Sequence, residues 1–105
     1  IFNNLIKNSI QAIPTDRKGI IKISLKINSD NLVICISDNG IGIPDNLKDK
    51  LFQPNFTTKS SGMGMGLAIT KNIITQTGGK IWFESKENLG TSFYIQFPLS
   101  NMDYV

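Results

Sequence analysis

The order of apolar and polar residues predicts two long helices. Over residues 1–13, apolar side chains recur at intervals of three and four, and Pro14 closes the segment. This spacing gathers the apolar side chains on one helical face, and proline is a stop signal. Leu67, Ile69, Ile73 and Ile74 indicate a second long helix over residues 66–77. Gly78 and Gly79 follow, and glycine is the residue that most readily caps the carboxyl end of a helix.

Four segments are predicted to be strands, three from a period of two and one from a short apolar run. In GIIKISLKI (19–27), Ile and Leu alternate with Lys and Ser, so one face of this strand should be wetter than the other. LVICIS (32–37) is apolar on both faces, which suits a central strand covered on both sides or nearly so. Strands at 81–85 and 92–97 are joined by a turn at 88–90. The predicted fold is therefore α/β, a two-layer sandwich with helices on one face of a mixed, mainly antiparallel sheet.

The stretch 39–64 is rich in Gly, Pro, Ser and Thr, with room for one short helix near Pro44–Phe52. A loop of this length in a small domain is usually functional. We therefore expect a mobile lid in which Gln53–Gly64 becomes ordered when a triphosphate binds.

Composition limits the classes of function. The 105 residues carry a net charge of +3 without a basic run, so a nucleic-acid partner is not expected. No apolar stretch approaches the ~18–20 residues that cross a bilayer, and no signal peptide opens the chain. We therefore expect a cytoplasmic domain that itself makes no membrane contact, and anchoring of the full-length protein through upstream segments stays open. Cys35 is predicted to be a small buried apolar residue. The chain is expected to be one domain, 1–105, truncated at its amino end because it starts inside a helix.

Three glycine-bearing clusters stand out, DNGIGIP (38–44), SGMGMGL (61–67) and NLGTSF (88–93). None has the P-loop pattern or the strand-to-helix context of a dinucleotide fingerprint. Taken singly, each could be no more than a turn that needs positive φ angles. The second cluster could also bring backbone N–H groups close to phosphate oxygens at the amino end of the helix that opens near Gly66.

Five motifs in a fixed order resemble the Bergerat ATP-binding fold shared by histidine kinases, gyrase, heat-shock chaperones and mismatch-repair ATPases. The motifs are NLIKN at 4–8, D-x-G-x-G at 38–42, FTTK at 56–59, G-x-G-x-G at 62–66, and GT at 90–91. This resemblance spans nearly the whole chain. It implies that the domain binds ATP or ADP with Mg²⁺.

The resemblance also assigns roles to residues. Asn4 and Asn8 share a helical face, where a neutral amide oxygen can ligate Mg²⁺ without repelling a triphosphate. A solvent-exposed Asn is the alternative, but the family places the magnesium ligand at Asn8. Asp38 would accept a hydrogen bond from the adenine amino group, and Thr91 would complete the adenine pocket. The residues predicted to bind nucleotide are Asn8, Ala12, Asp38, Gly40, Gly42, Ile43, Thr58, Lys59, Gly62, Gly64, Met65, Gly66, Leu67 and Thr91.

Asn4 separates branches of this superfamily. Chaperones and DNA-dependent ATPases of the fold carry a glutamate at this position, where it acts as general base on water. An amide cannot take that proton, so transfer to a histidine nitrogen is favoured over hydrolysis. FTTK and TGGKI also look like the histidine-kinase version, in particular the nitrogen-regulation subgroup. Asn4 and Lys59 are the predicted catalytic residues, with Lys59 reaching the terminal phosphate from the lid.

Four positions depart from the family pattern and weaken the subgroup assignment. Gln11 replaces a common phosphate-binding cation, and Asn55, Met63 and Thr77 replace an aromatic residue, a threonine and a histidine.

The absence of histidine from the sequence means that this chain cannot be its own phosphoacceptor. The resemblance implies that the acceptor histidine lies on a dimerisation domain upstream in the chain. It also implies that an aspartate of a response-regulator receiver domain then receives the phosphoryl group. The pattern thus favours the ATP-binding catalytic domain of a sensor histidine kinase. A regulatory adenine-nucleotide-binding module without catalysis and a protein serine kinase of the same fold remain open.

Overall fold

The computed structural model describes residues 2–53 and 63–99, with the backbone alone for 63–66. Its elements, in chain order, are helix α1 (Phe2–Ala12), strands β1 (Ile21–Asn28) and β2 (Asn31–Asp38), a 3-10 helix (Asp45–Lys50), helix α2 (Met63–Gln76), and strands β3 (Lys80–Lys86) and β4 (Gly90–Pro98). Within the described ranges, no helix has both the length and the apolar character that a membrane span requires.

The four strands form one sheet in the order β1-β2-β4-β3, and every described pair is antiparallel. Helix α1 packs on β2 and β4, and α2 packs on β3. The predicted two-layer α/β sandwich is therefore confirmed, and the part of the sheet that the structure describes is wholly antiparallel.

The hydrophobic core lies between the helices and the two central strands. Alternate residues of β2 and β4 are buried on one face, as the pleat of a strand requires. The buried residues of the hydrophobic core are Leu5, Ile34, Ile36, Leu51, Leu67, Ile74, Phe93 and Ile95. Truncating one of these leucines or isoleucines to alanine typically costs about 2–5 kcal/mol.

The two ends of α2 differ in how well the sequence predicts them. At the carboxyl end, the N–H of Gly79 donates to Ile74 O (3.0 Å) and that of Gly78 to Thr75 O (3.0 Å). Gly78 has a φ of 82°, so the predicted glycine cap is confirmed as a Schellman motif. The amino end lies at Met63, three residues before the predicted start. Glycine disfavours a helix by only about 1 kcal/mol, so the G-x-G-x-G motif extends into the helix.

The predicted burial of β1 and β2 is wrong in part. Ile23, Leu25 and Ile27 of β1 are 57%, 68% and 67% exposed, because the helices pack chiefly on the other three strands. On the face of β2 away from the helices, Val33 and Cys35 are half-buried rather than covered. Neighbouring strands shield this face from the sides, but no described helix packs above it.

Candidate functional site

The candidate site lies at the end of the sheet where β2 stops and β4 starts. The strand register places Asp38 opposite Thr91, and Thr91 opposite Ser85. Residues directly opposite one another in antiparallel strands share a face, so these three polar side chains form a row on the helix-bearing side. Asp38 and Thr91 are 8% and 4% exposed. The sequence-predicted Asp38 and Thr91 are thus neighbours in a largely buried site.

The Asp38 carboxylate is oriented through one of its two oxygens. Oδ1 accepts hydrogen bonds from the backbone N–H of Gly40 (2.8 Å) and of Thr91 (3.3 Å). Oδ2 has no partner among the described residues. A carboxylate can accept more hydrogen bonds than these two. Asp38 is therefore fixed in place with one oxygen available to a donor from a ligand.

The glycines of this site allow close approach of the backbone. A Cβ atom on Gly40 would lie 2.5 Å from Ala12 O, and one on Gly42 would collide with Lys86 O. Gly42 also has a φ of 71°, which disfavours any side chain. Gly40 and Gly42 are both predicted to bind nucleotide, and a ligand beside either residue would need the room that a Cβ atom would fill. The protein's own backbone occupies that room, which brings the predicted Ala12 into contact with the site.

The segment between β2 and the 3-10 helix is held from two sides. The N–H of Ile41 donates to Ala12 O (2.8 Å) at the end of α1, and the N–H of Asn88 donates to Ile41 O (2.6 Å) from the β3–β4 turn. The guanidinium Nη1 of Arg17 donates to Asn39 O (3.1 Å), Gly40 O (3.3 Å) and Asn88 O (3.0 Å). Arg17 thus ties the α1–β1 loop to both segments that surround Asp38.

Two further side chains support the site without having been predicted. Ser85 Oγ contacts the N–H of Ile43 (2.8 Å), Gly90 O (3.0 Å) and Thr91 Oγ1 (2.8 Å). Lys48 Nζ donates to Ser85 O (2.7 Å) and pairs with Asp45 (2.8 Å). Period-two alternation places Ser85 on the inner face of its strand, which was the available signal for it. No sequence pattern pointed to Arg17 or Lys48.

The α1 side of the site is less complete. Asn4 and Asn8 are half-buried, and Asn8 Nδ2 is buried without a hydrogen-bond partner among the described residues. An unpaired buried donor costs about 1–3 kcal/mol, which a ligand able to pair with it would recover. Rotation of the amide exchanges Nδ2 with Oδ1, and an amide oxygen suits a hard cation. Asn8 therefore fits its predicted role as a magnesium ligand.

The remaining predicted residues lie on α2 or outside the described residues. Gly64, Met65 and Gly66 are in the first turn of α2, where backbone N–H groups lack intrahelical acceptors. Leu67 is 4% exposed and belongs to the hydrophobic core. Residues 54–62 of the predicted lid lie outside the described residues, and with them Asn55, Thr58, Lys59 and Gly62.

A family model described as "Histidine kinase-, DNA gyrase B-, and HSP90-like ATPase" matches residues 1–101. Sporulation kinase B of Bacillus subtilis (strain 168) is 43% identical over 95 residues, which are 90% of this chain and 22% of that protein. Sensor histidine kinase ZraS of Escherichia coli (strain K12) is 38% identical over 100 residues, covering 95% of this chain and 21% of that protein. The chain thus spans about a fifth of the length of these curated relatives.

The fold is also similar to solved structures of histidine kinase domains. The nucleotide-free catalytic domain of histidine kinase ThkA superposes with a TM-score of 0.77 at 41% identity, covering 90% of this chain and 61% of that one. The mycobacterial sensor histidine kinase MprB gives a TM-score of 0.77 at 26% identity, covering 90% of this chain and 67% of that one.

Proposed function

The chain belongs to the family of histidine kinase-, DNA gyrase B- and HSP90-like ATPases, and from that premise we propose that it binds ATP with Mg²⁺ and donates the terminal phosphoryl group to a histidine of a separate dimerisation domain. The chain contains no histidine, so the acceptor belongs to another domain or chain. In the proposed pathway, an aspartate of a response-regulator receiver domain then takes the phosphoryl group. Membership of an ATPase family supports the use of ATP.

The observation that carries the proposal is the geometry of Asp38. Two backbone N–H groups fix Oδ1, while Oδ2 remains available in a largely buried position. The exocyclic amino group of adenine is a donor and would pair with this oxygen. Guanine presents a carbonyl oxygen at the corresponding position, and two acceptors would then face each other. The site therefore favours adenine nucleotides.

The phosphates would lie between α1 and the first turn of α2. Backbone N–H groups at Gly64 and Gly66 can donate to phosphate oxygens, and the positive end of the helix favours an anion. Asn8 would hold Mg²⁺ through its amide oxygen. A bound magnesium ion would neutralise part of the charge on the phosphates.

Asn4 supports phosphoryl transfer rather than hydrolysis. Its amide has no basic group that could take a proton from water at neutral pH. A histidine nitrogen is a stronger nucleophile than water and needs less help from a general base. We therefore propose that Asn4 favours phosphoryl transfer because it does not activate water. We propose that Lys59 binds the terminal phosphate.

Calorimetry on the purified chain tests the assignment of Asp38. Asp38→Asn turns an acceptor into a group that also donates, so ATP affinity should fall by about 5- to 150-fold, the equivalent of 1–3 kcal/mol. Asp30→Asn is the matched control, because Asp30 is exposed at the opposite end of β2 and loses the same charge. Equal ATP affinity in wild type and Asp38→Asn would contradict the proposed adenine contact.

A labelling experiment on the natural full-length protein tests phosphoryl transfer. Incubation with ATP labelled in the γ-phosphate should give an acid-labile label of the kind expected for phosphohistidine. Binding of ATP without labelling would indicate a regulatory nucleotide-binding module. An acid-stable label would indicate a serine kinase, and either result would contradict the histidine kinase proposal.

A further inference from the structure

The Ser85 hydroxyl lies at a junction of three polar groups. The distances from Oγ are 2.8 Å to the backbone nitrogen of Ile43, 3.0 Å to Gly90 O and 2.8 Å to Thr91 Oγ1. The backbone N–H can only donate, and the carbonyl oxygen can only accept. The contact between the two hydroxyl groups is therefore the one whose direction these distances leave open.

Counting hydrogens sets that direction. A serine hydroxyl has one hydrogen to donate and two lone pairs that accept. If Ser85 donates to Gly90 O, its lone pairs can accept from Ile43 and from the Thr91 hydroxyl, and all three contacts are hydrogen bonds. If Ser85 donates to Thr91 instead, two lone pairs face each other at Gly90 O. Groups in partly buried positions are normally paired, so the first arrangement is favoured.

We infer that Ser85 determines the specificity for the base. Its Oγ accepts the hydrogen bond that the Thr91 hydroxyl donates, so Thr91 Oγ1 can only accept hydrogen bonds from a bound base. Asp38, the cross-strand neighbour of Thr91, is likewise acceptor-only when ionised. This wall of the site then selects a base with a donor group at position 6, such as a 6-aminopurine. It opposes a 6-oxopurine, whose carbonyl oxygen would meet two acceptors. The inference rests on the proposed function, because it takes Asp38 and Thr91 to face the base.

The test compares ATP with inosine triphosphate, which has a carbonyl oxygen instead of the amino group at position 6 and a hydrogen on N1. Ser85→Ala frees the Thr91 hydroxyl to donate, so the ratio of ATP to inosine triphosphate affinity should fall by about tenfold, the scale of one hydrogen bond. Ser85→Thr keeps a hydroxyl at the same position and should restore the ratio. Both affinities are measured by calorimetry on the purified chain.

Ser92→Ala is the matched control. Ser92 follows Thr91 on β4, and its hydroxyl makes a similar cross-strand contact with Ser37 Oγ (2.7 Å) on the opposite face of the sheet. This variant loses a bond of the same kind away from the site, so the nucleotide ratio should stay at the wild-type value.

The outcomes separate the inference from the proposed function. If Ser85→Ala lost affinity for ATP and for inosine triphosphate equally, Ser85 would be a purely structural residue and the inference would be overturned. Wild-type protein that binds neither nucleotide would instead contradict the proposed function. Thr91→Val provides a second test if Ser85→Ala does not fold. This variant should bind ATP more weakly than the wild type does, with no loss of affinity for inosine triphosphate. A larger loss of affinity for inosine triphosphate than for ATP would also overturn the inference.

Discussion

The two halves of the candidate site differ in how completely the protein satisfies its own polar groups. Around Asp38, two backbone donors fix the carboxylate, and Arg17 and Ser85 pair with the surrounding segments. Around α1, the amide nitrogen of Asn8 is buried without a partner in the described part of the chain. The half that would recognise a base is therefore built by the fold itself. The half proposed to hold magnesium and phosphate would be completed by the bound ligand.

This difference follows from the residues that form each half. Glycines at 40, 42 and 90 let the backbone of three segments come into contact, and the atoms that make these contacts all belong to the protein. The α1 half instead presents side-chain amides and, at the start of α2, N–H groups that lack intrahelical acceptors, and both are suited to charged partners. Changes in the first half should therefore lower stability and binding together, whereas changes in the second should weaken binding without a loss of stability.

The largest effect on stability is expected for Gly42→Ala, which disrupts the half of the site around Asp38, called here the prebuilt half. The added Cβ would collide with Lys86 O, and the φ of 71° would be strained. The strain and the overpacking each cost roughly 1–3 kcal/mol. Unfolding in urea should therefore show a large loss of stability, and ATP binding should be weakened with it.

Gly19→Ala is the matched control for this substitution. Its Cβ would lie 2.8 Å from Ile13 Cδ1, the end of a flexible side chain that can move aside, and no positive φ is involved. Equal losses of stability for the two alanine variants would contradict the view that the glycine at 42 is required by backbone contact.

A smaller effect is expected for Arg17→Ala. The substitution removes hydrogen bonds to three carbonyl groups, from a side chain that is 29% exposed. Because hydrogen bonds to charged groups contribute about 1.5–3 kcal/mol and this side chain is partly solvated, a loss of roughly 1–2 kcal/mol is expected. Thermal unfolding should show it. Lys18→Ala removes a charge from the adjacent exposed position and should leave stability nearly unchanged.

Asn8→Ala should separate stability from binding. Without ligand, the variant loses an unpaired buried donor and gains helix propensity, so its stability should be equal to the wild type or higher by up to about 1 kcal/mol. The affinity for ATP with Mg²⁺ should nevertheless fall by at least about tenfold if the amide holds the ion. Calorimetry with and without Mg²⁺ measures this. A loss that is the same without Mg²⁺ would place Asn8 away from the metal.

The sequence predicts the elements well because each carries its own local signal. Pro14 and the pair Gly78–Gly79 mark helix ends, a period of two marks β1, β3 and β4, and a short apolar run marks β2. The exposure of β1 could not be predicted, because alternation distinguishes two faces of a strand without showing whether a helix covers either. Fold class and the chain order of the motifs could be read from the residues, but burial could not.

The supporting side chains of the site were beyond local pattern for a different reason. Arg17 bonds to a carbonyl 71 positions away, and Lys48 to one 37 positions away. Such contacts depend on where the sheet register brings distant segments together. Asp38 and Thr91 could be predicted because they lie in recognisable motifs. Motifs do not identify residues such as Arg17 and Lys48, which support the site by bonding to backbone carbonyl groups of distant segments.

The smallest effect is expected at the pair Asp45–Lys48, which fastens the 3-10 helix to the prebuilt half. The hydrogen bond from Lys48, and then its positive charge, hold the pKa of the Asp45 carboxyl below its ordinary value. A folded-state pKa that is lowered stabilises the protein above the unfolded value of about 3.9. That stability is lost as the pH falls through the lower, folded value.

Asp45→Asn should therefore melt slightly below wild type at neutral pH, and the difference should close at a pH below both pKa values. The effect is small because Asp45 is almost fully exposed and water screens the pair. Lys48→Met should lose more at neutral pH, because the bond to Ser85 O is lost as well. Its deficit should persist at low pH, since that bond does not depend on a carboxylate. Equal deficits for the two variants at neutral pH would mean that the contact with Ser85 adds nothing to the stability of the prebuilt half.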